Sequence, residues 1–385
     1  MDNKNKKILL GIFYTFFVCG FMALMLGSLI PSLMEEYQVD YDIAGLFLSA
    51  SSVGSLLASF VVGFFVPKLG QKKTIIIFSP LVFLAYIGVV ITNIGFVLIP
   101  LFLLVGIGIG SVNNINNFII TDLAEEKPGY ISLSHMFFAI GAFISPLLAA
   151  FIMRLGFGFK KIIFIGILLS FSMVVVYFKL PIEASSKKIK VQNVENEKPF
   201  YKYSTFYIAA FLLFFYLGVE MAVSGFIAAY LTDHLNMDHS FSTKLLSVLW
   251  LMIILGRLLS AYLASKFKKT TMLLICSLGA SVVFLGFLLT NNPMLITISV
   301  IFLGVFLSGI YPMSIASVSN ILKQSSKAMG VFLAIVGLGG IFIPMIVGFF
   351  AAYFDVMIGM GSILISAALM VFCALLLKIK QRGEM

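Results

Sequence analysis

FYIAAFLLFFYLGVEMAVSGFIAAYL, Phe206 to Leu231, is apolar almost from end to end and carries one carboxylate, Glu220, near its middle. A helix of about 20 residues crosses the roughly 30 Å hydrocarbon core of a bilayer, and this stretch is long enough to do so. An acid at that depth costs about 2.5–3.5 kcal/mol on insertion scales, so such groups face a bundle interior or an aqueous cavity and often mark an ion or solute pathway. Helical spacing puts Tyr216 and Ser224 one turn to either side of Glu220 on the same face. A protonated glutamic acid that only joins helices is the alternative reading.

The rest of the chain belongs to the same class. Of 385 residues 61% are hydrophobic and 11% charged, against about 45–50% and about 25% in soluble domains. That balance belongs to a polytopic membrane protein, and the distribution of the charges along the chain speaks against nucleic acid despite a formal net charge of +10. Cys19, Cys276 and Cys373 lie far apart inside apolar segments and match neither a metal site nor a redox pair. Lys4, Lys6 and Lys7 precede an apolar run from Ile8 to Ile30. That run exceeds the ~7–15 residues of a secretory leader and reads as an uncleaved first span.

Twelve segments meet the length standard, near 8–30, 42–66, 74–92, 95–121, 131–153, 160–179, 205–231, 241–265, 270–290, 294–321, 327–353 and 356–377. The longest polar run, PIEASSKKIKVQNVENEKPFYK (Pro181 to Lys202), divides them six and six. The expected organisation is therefore all-α: a six-helix half at 1–180, a linker at 181–203 and a second six-helix half at 204–385. Lysine and arginine orient such a bundle. With both termini cytoplasmic, 21 of the 26 basic residues fall in cytoplasmic connections. Arg154, Lys160, Lys161 and Lys244 fall opposite, and Arg257 lies inside a helix. Contact with anionic lipid then accounts for the positive charge.

Several intramembrane polar groups stand out. The fourth segment has Gly106, Gly108 and Gly110, a small-residue seam, followed by Asn113, Asn114, Asn116 and Asn117. Asn113, Asn116 and Asn117 share one side of the helix and each offers a donor and an acceptor. They suit a hydroxyl-rich solute, or alternatively bonds between helices. His135 lies near the cytoplasmic end of the fifth segment as relay, solute ligand or structural group. In the eighth, Trp250 sits too deep for an interfacial belt, and Arg257 follows Gly256, a position suited to gating. The tenth carries Tyr311 and then Ser314, Ser317 and Asn320 at intervals of three, a prospective polar stripe. No nucleotide-binding loop or hydrolytic constellation is present, so uphill transport would draw on an ion gradient.

Basic turns recur after the second and eighth segments, GFFVPKLGQKK (Gly63 to Lys73) and GRLLSAYLASKFKKT (Gly256 to Thr270). The arrangement resembles the major facilitator superfamily. Gly63, Lys68, Gly70 and Lys72 match its G-x-L-A-D-R-x-G-R-K motif, with Pro67 in place of the acid and Ser265 at the second copy. Within that superfamily, FFYLGVE (Phe214 to Glu220), the Gly256-Arg257 pair, IYPMSIASVSN, VGLGGIFIP, SHMFFAIGAFISP and the NNF at Asn116 are similar to motifs of the fucose:proton symporter family. The resemblance implies sugar uptake coupled to protons, or to sodium in some branches. Acids that the family uses in its first and fourth helices are replaced here near Gly27 and Val112, and its fifth-helix polar pair falls at His135 and Phe138.

The expectation is a twelve-helix transporter, not an enzyme, multi-pass in the cell membrane. It would work by alternating access and carry a sugar or sugar-like solute, with Glu220 as the proton-coupling acid. Asn113, Asn116, Asn117, His135, Tyr216, Trp250 and Tyr311 would be solute contacts and Arg257 a gating residue. No metal or cofactor is expected beyond the proton gradient, with sodium as the alternative ion. The expected partners are a small solute and membrane lipids, not nucleic acid, and the chain is expected to act as a monomer. Proton-driven efflux of amphipathic compounds, drugs or lipids is the competing reading.

Overall fold

The computed structural model describes residues 3–124, 129–182, 199–264, 266–323 and 326–383. Most of the linker and Ser265 therefore lie outside the described residues. Within them the chain is helical, without strands: α1 (Asn3–Tyr37), α2 (Tyr41–Phe78), α3 (Pro80–Ile91), α4 (Leu98–Ala124), α5 (Gly129–Arg154), α6 (Phe159–Lys179), α7 (Ser204–Ala229), α8 (His239–Ala264), α9 (Lys269–Leu288), α10 (Pro293–Ser317), α11 (Ser319–Lys323), α12 (Ser326–Tyr353) and α13 (Val356–Gly383).

Eleven described stretches are long and apolar enough to span a membrane. One of them, Tyr41–Ile91, runs for 51 residues, more than twice the helix length that a bilayer core needs. Gly70 explains it. Its φ of 78° and ψ of 163° leave the helical region, a conformation that glycine adopts without penalty. The second and third spans meet at that basic turn, so this stretch accounts for two of the twelve expected segments. The tenth segment ends earlier than its composition suggests. Val318 (φ −120°, ψ 17°) closes α10 after Ser317, and Asn320 falls on the separate short helix α11, where it is exposed. Asn320 therefore does not continue the stripe of Ser314 and Ser317.

The helices gather into two compact units: residues up to 187 with 236–247, and residues 188–235 with 248–385. By packing, the first turns of α8 thus group with the first unit, where the Ser240 hydroxyl donates to the Ala150 carbonyl of α5 at 3.2 Å. In the first unit α1 lies along α5, α2 along α4 and α3 along α6. In the second, α7 lies along α12 and α9 along α13, while α8 meets α10 at Gly256 and Gly304. Counted by spans, in each unit the first packs on the fifth, the second on the fourth, and the third on both the fourth and the sixth. The sequence echoes between the halves therefore correspond to a repeated packing scheme.

Glycine makes the closest of these pairings. A Cβ on Gly106 would lie 2.0 Å from the Ser51 carbonyl oxygen of α2, and one on Gly110 would lie 2.7 Å from the Ala58 side chain. Gly108 points instead at Val82 of α3. The expected seam of α4 is thus a two-sided contact, which small residues permit where backbones approach closely. The same device joins α1 to α5 through Gly20 and Gly141, and α7 to α12 through Gly339.

Two of the basic residues on the charge-poor side have local partners. Lys160 Nζ lies 2.5 Å from Glu36 Oε1 at the end of α1, and Lys161 Nζ sits 3.3 Å from the centre of the Phe157 ring. The charge of Lys160 is offset by an acid, and that of Lys161 rests on an aromatic face.

Candidate functional site

In the second unit, α7, α8 and α10 bring six of the singled-out residues together. The Tyr216 hydroxyl donates to Glu220 Oε1 at 2.6 Å, across one turn of α7. Glu220 is only 5% exposed. One turn further, Ser224 Oγ accepts from Trp250 Nε1 of α8 at 3.3 Å. That bond explains a mid-span tryptophan: its ring is buried and its single donor is satisfied between helices. Tyr311 of α10 approaches Tyr216 with ring centres 6.2 Å apart at 50°. The half-buried Arg257 guanidinium, two turns beyond Trp250 on the same side of α8, acts electrostatically on Glu220, Tyr216 and Tyr311. A buried carboxylate is thus set among two phenols, an indole and a cation.

Glycines put these helices at the required separation. A Cβ on Gly218 would lie 2.3 Å from Ile343 of α12, and one on Gly256 would lie 2.4 Å from Ser308 Oγ of α10. Ser308 also approaches Ser260 of α8, with their hydroxyls 3.4 Å apart. This serine pair was not among the sequence candidates. Its only signal was a single hydroxyl in each of two spans that carry other polar groups.

The first unit sorts the asparagines by environment. Asn116 is fully buried, whereas Asn113, Asn114 and Asn117 are half-buried. Tyr177 of α6 donates to Asn116 Oδ1 at 2.7 Å, Asn116 Nδ2 donates to Thr15 Oγ1 of α1 at 3.0 Å, and Thr15 donates to the Ile12 carbonyl at 3.0 Å. The result is a directed chain of hydrogen bonds across three helices. Asn116 thereby takes the interhelical alternative. Its partners Thr15 and Tyr177 were not foreseen, because a lone hydroxyl in a long apolar span gives no pattern to read. Asn114 Nδ2 donates to Ser59 Oγ of α2 at 3.2 Å. Asn113 Oδ1 is buried and has no hydrogen-bond partner among the described residues.

His135 of α5 is exposed, with its ring tilted against Phe16 of α1 at 5.6 Å. Phe137 stacks on Phe13 at 4.9 Å and 13°, which fits packing between α1 and α5. No group of three or more histidine, cysteine or acidic side chains stands ready for a metal ion among the described residues.

The sequence model of the major facilitator superfamily matches residues 12–302 and 209–384, and the chain belongs to that superfamily. It is a multi-pass membrane transporter and not an enzyme. A TsgA homolog of Buchnera aphidicola is 22% identical over 353 residues, covering 90% of this chain and 89% of the relative. The glucose/mannose transporter GlcP of Bacillus subtilis is 22% identical over 373 residues, covering 92% and 91%. Among solved structures, a D-xylose-proton symporter aligns with a TM-score of 0.80 at 15% identity, covering 97% of each chain. A variant of the nucleoside transporter NupG aligns with a TM-score of 0.80 at 15% identity, covering 97% of this chain and 100% of the other. At that identity the structures speak for the fold alone.

Proposed function

We propose that this chain is a secondary transporter that takes up a sugar or sugar-like polar solute across the cell membrane by alternating access, driven by protons. The observation that carries the reading is Glu220, a carboxylate buried in α7 and bonded to Tyr216. Ionisable side chains inside a span are rare and mark functional positions, and Glu220 lies beside groups that recognise polyols: phenols, an indole and a guanidinium. The likeness to GlcP along nine-tenths of the chain supports a hexose-type solute. In this reading Glu220 loads and releases the coupling proton, Tyr216 orients it, and Arg257 biases it electrostatically. Tyr311 and Trp250 offer aromatic faces. Asn113, Asn117 and His135 contribute solute contacts in the first unit, and Asn116 fixes α4, which carries the two asparagines, to α1 and α6. Both termini are cytoplasmic, the chain acts as a monomer among lipids, and it needs no cofactor beyond the gradient.

Uptake of labelled glucose, mannose and xylose into vesicles reconstituted with purified protein, with and without an imposed inward proton gradient, tests the proposal. Gradient-driven accumulation of one of these sugars supports it. The competing reading, efflux of amphipathic compounds, draws on the aromatic surface beside the polar groups, such as the Phe13–Phe137 stack. Gradient-driven movement of a lipophilic cation and of no sugar would favour it.

A further inference from the structure

The amide oxygen of Asn113 poses a problem that the fold does not solve. Buried polar atoms in native proteins have partners, and an exception calls for a specific explanation. A buried serine hydroxyl can turn to a carbonyl of its own helix, but an amide oxygen only accepts. The interior backbone N–H groups of α4 are spent on its own ladder. Only a side-chain donor or a bound molecule can therefore complete Asn113 Oδ1, and no side-chain donor among the described residues reaches it.

Helix geometry shows which way the group faces. At about 100° per residue, Asn113 and Asn117 stand roughly 40° apart, between Asn116 on one side and Asn114 on the other. Asn116 is directed at Thr15 of α1 and Asn114 at Ser59 of α2. Asn113 and Asn117 thus occupy the arc of α4 between α1 and α2, and both are half-buried where Asn116 is fully enclosed. The amides therefore differ in what they hold. Asn116 clamps α1 and α6, Asn114 ties α2, and the arc between them carries an acceptor in want of a donor.

We propose that Asn113 is a specificity-determining residue of the transporter, its carbonyl oxygen accepting one hydroxyl hydrogen of the solute. The inference rests on the sugar-transport reading above and deepens it, because it requires a solute hydroxyl that donates to protein. A site built to bond a hydroxyl rejects the analogue that lacks it far more sharply than an apolar pocket rejects an extra one. Losing the acceptor leaves the matching hydroxyl indifferent.

The test uses the full-length protein in vesicles. Labelled glucose uptake is measured in competition with unlabelled glucose and its series of monodeoxy analogues, for the parent and for Asn113→Ala, Asn113→Asp and Asn116→Ala. The expected result is that one analogue competes about tenfold or more less well than glucose on the parent, the size of one lost buried bond. In Asn113→Ala glucose should weaken by a similar factor, and that same analogue should compete as well as glucose. Asn113→Asp, which keeps an acceptor, should retain the discrimination. Asn116→Ala should keep the parent's ranking of analogues even if less folded protein is recovered. An unchanged ranking in Asn113→Ala, with the parent active, would overturn the inference and leave the transport reading standing; Asn113 Oδ1 then holds a water. A folded parent that takes up neither glucose nor any sugar of the wider panel would remove both.

Discussion

The Tyr216 hydroxyl donates to Glu220 across a single turn of α7, at 2.6 Å. Both groups are buried, so each supplies the other with a partner that the bilayer cannot. Among the described residues Tyr216 is the one hydrogen-bond donor to Glu220, and a carboxylate so held is suited to exchange a proton or a solute hydroxyl as the surroundings alternate. The Arg257 guanidinium acts on it from α8.

Glu220→Gln keeps the shape of the protonated acid and removes its titration. The variant is expected to bind solute and to exchange labelled for unlabelled solute across the membrane, but not to concentrate it against a gradient. Counterflow and gradient-driven uptake in the same vesicle preparation separate the two activities. A variant that still accumulates solute as the parent does would make Glu220 structural.

The chain of bonds from Tyr177 through Asn116 to Thr15 makes a different demand. Asn116→Ala leaves the Tyr177 and Thr15 hydroxyls without a shared partner in a dry environment, and Tyr177→Phe leaves Asn116 Oδ1 unpaired. Each should cost about 1–3 kcal/mol of stability, visible as a lower melting temperature of detergent-purified protein. The double variant should cost less than the sum, since both members belong to one network. Unchanged melting in both single variants would mean that the network carries no stability.

Much of this architecture was legible before any coordinates. Segment length and apolarity marked the spans, because the bilayer imposes a length on every helix that crosses it. Tyr216, Glu220 and Ser224 could be placed on one face because helical spacing is fixed. The turn at Gly70 was marked by its basic motif, but the near continuity of α2 across it was not. The roles of the asparagines were harder to see. Asn113, Asn116 and Asn117 share a side of α4, yet a rotation of about 60° between Asn113 and Asn116 decides whether an amide meets Thr15 or leaves its oxygen without a partner among the described residues. Contacts between helices far apart in sequence, such as α4 with α6, leave no local periodicity. Lys160 looked like a breach of charge topology because its partner, Glu36, lies 124 residues away.

Close backbone approach at the glycine seams predicts intolerance of any side chain there. A Cβ on Gly141 would stand 2.0 Å from the Phe17 carbonyl oxygen of α1, and one on Gly339 would stand 1.9 Å from the Phe214 carbonyl oxygen of α7. Backbone cannot swing aside as a side chain can, so Gly141→Val and Gly339→Val should each abolish the monodisperse peak in size-exclusion chromatography of tagged protein. Gly63→Ala is the control, since its added Cβ meets nothing within 4 Å. It should be recovered in parent amounts. Normal recovery of both valine variants would show that the seams are looser than the helix pairing implies.

The orientation of the bundle can be read with two reporter cysteines. Cytoplasmic termini put 21 of 26 basic residues inside, and two of the exceptions, Lys160 and Lys161, are held by Glu36 and by the Phe157 ring. Gly158 lies in the same short connection, is exposed, and would meet nothing within 4 Å on gaining a Cβ. Its φ of −72° is open to any residue, so Gly158→Cys should fold as the parent does. Ser185 lies in the linker, outside the described residues. The native Cys19 and Cys373 are buried and Cys276 partly so, which keeps the background of labelling low. A membrane-impermeant maleimide added to intact cells is expected to label Gly158→Cys and to spare Ser185→Cys until the membrane is opened. The reverse pattern would invert the bundle, and with it the direction in which Glu220 is read as carrying its proton.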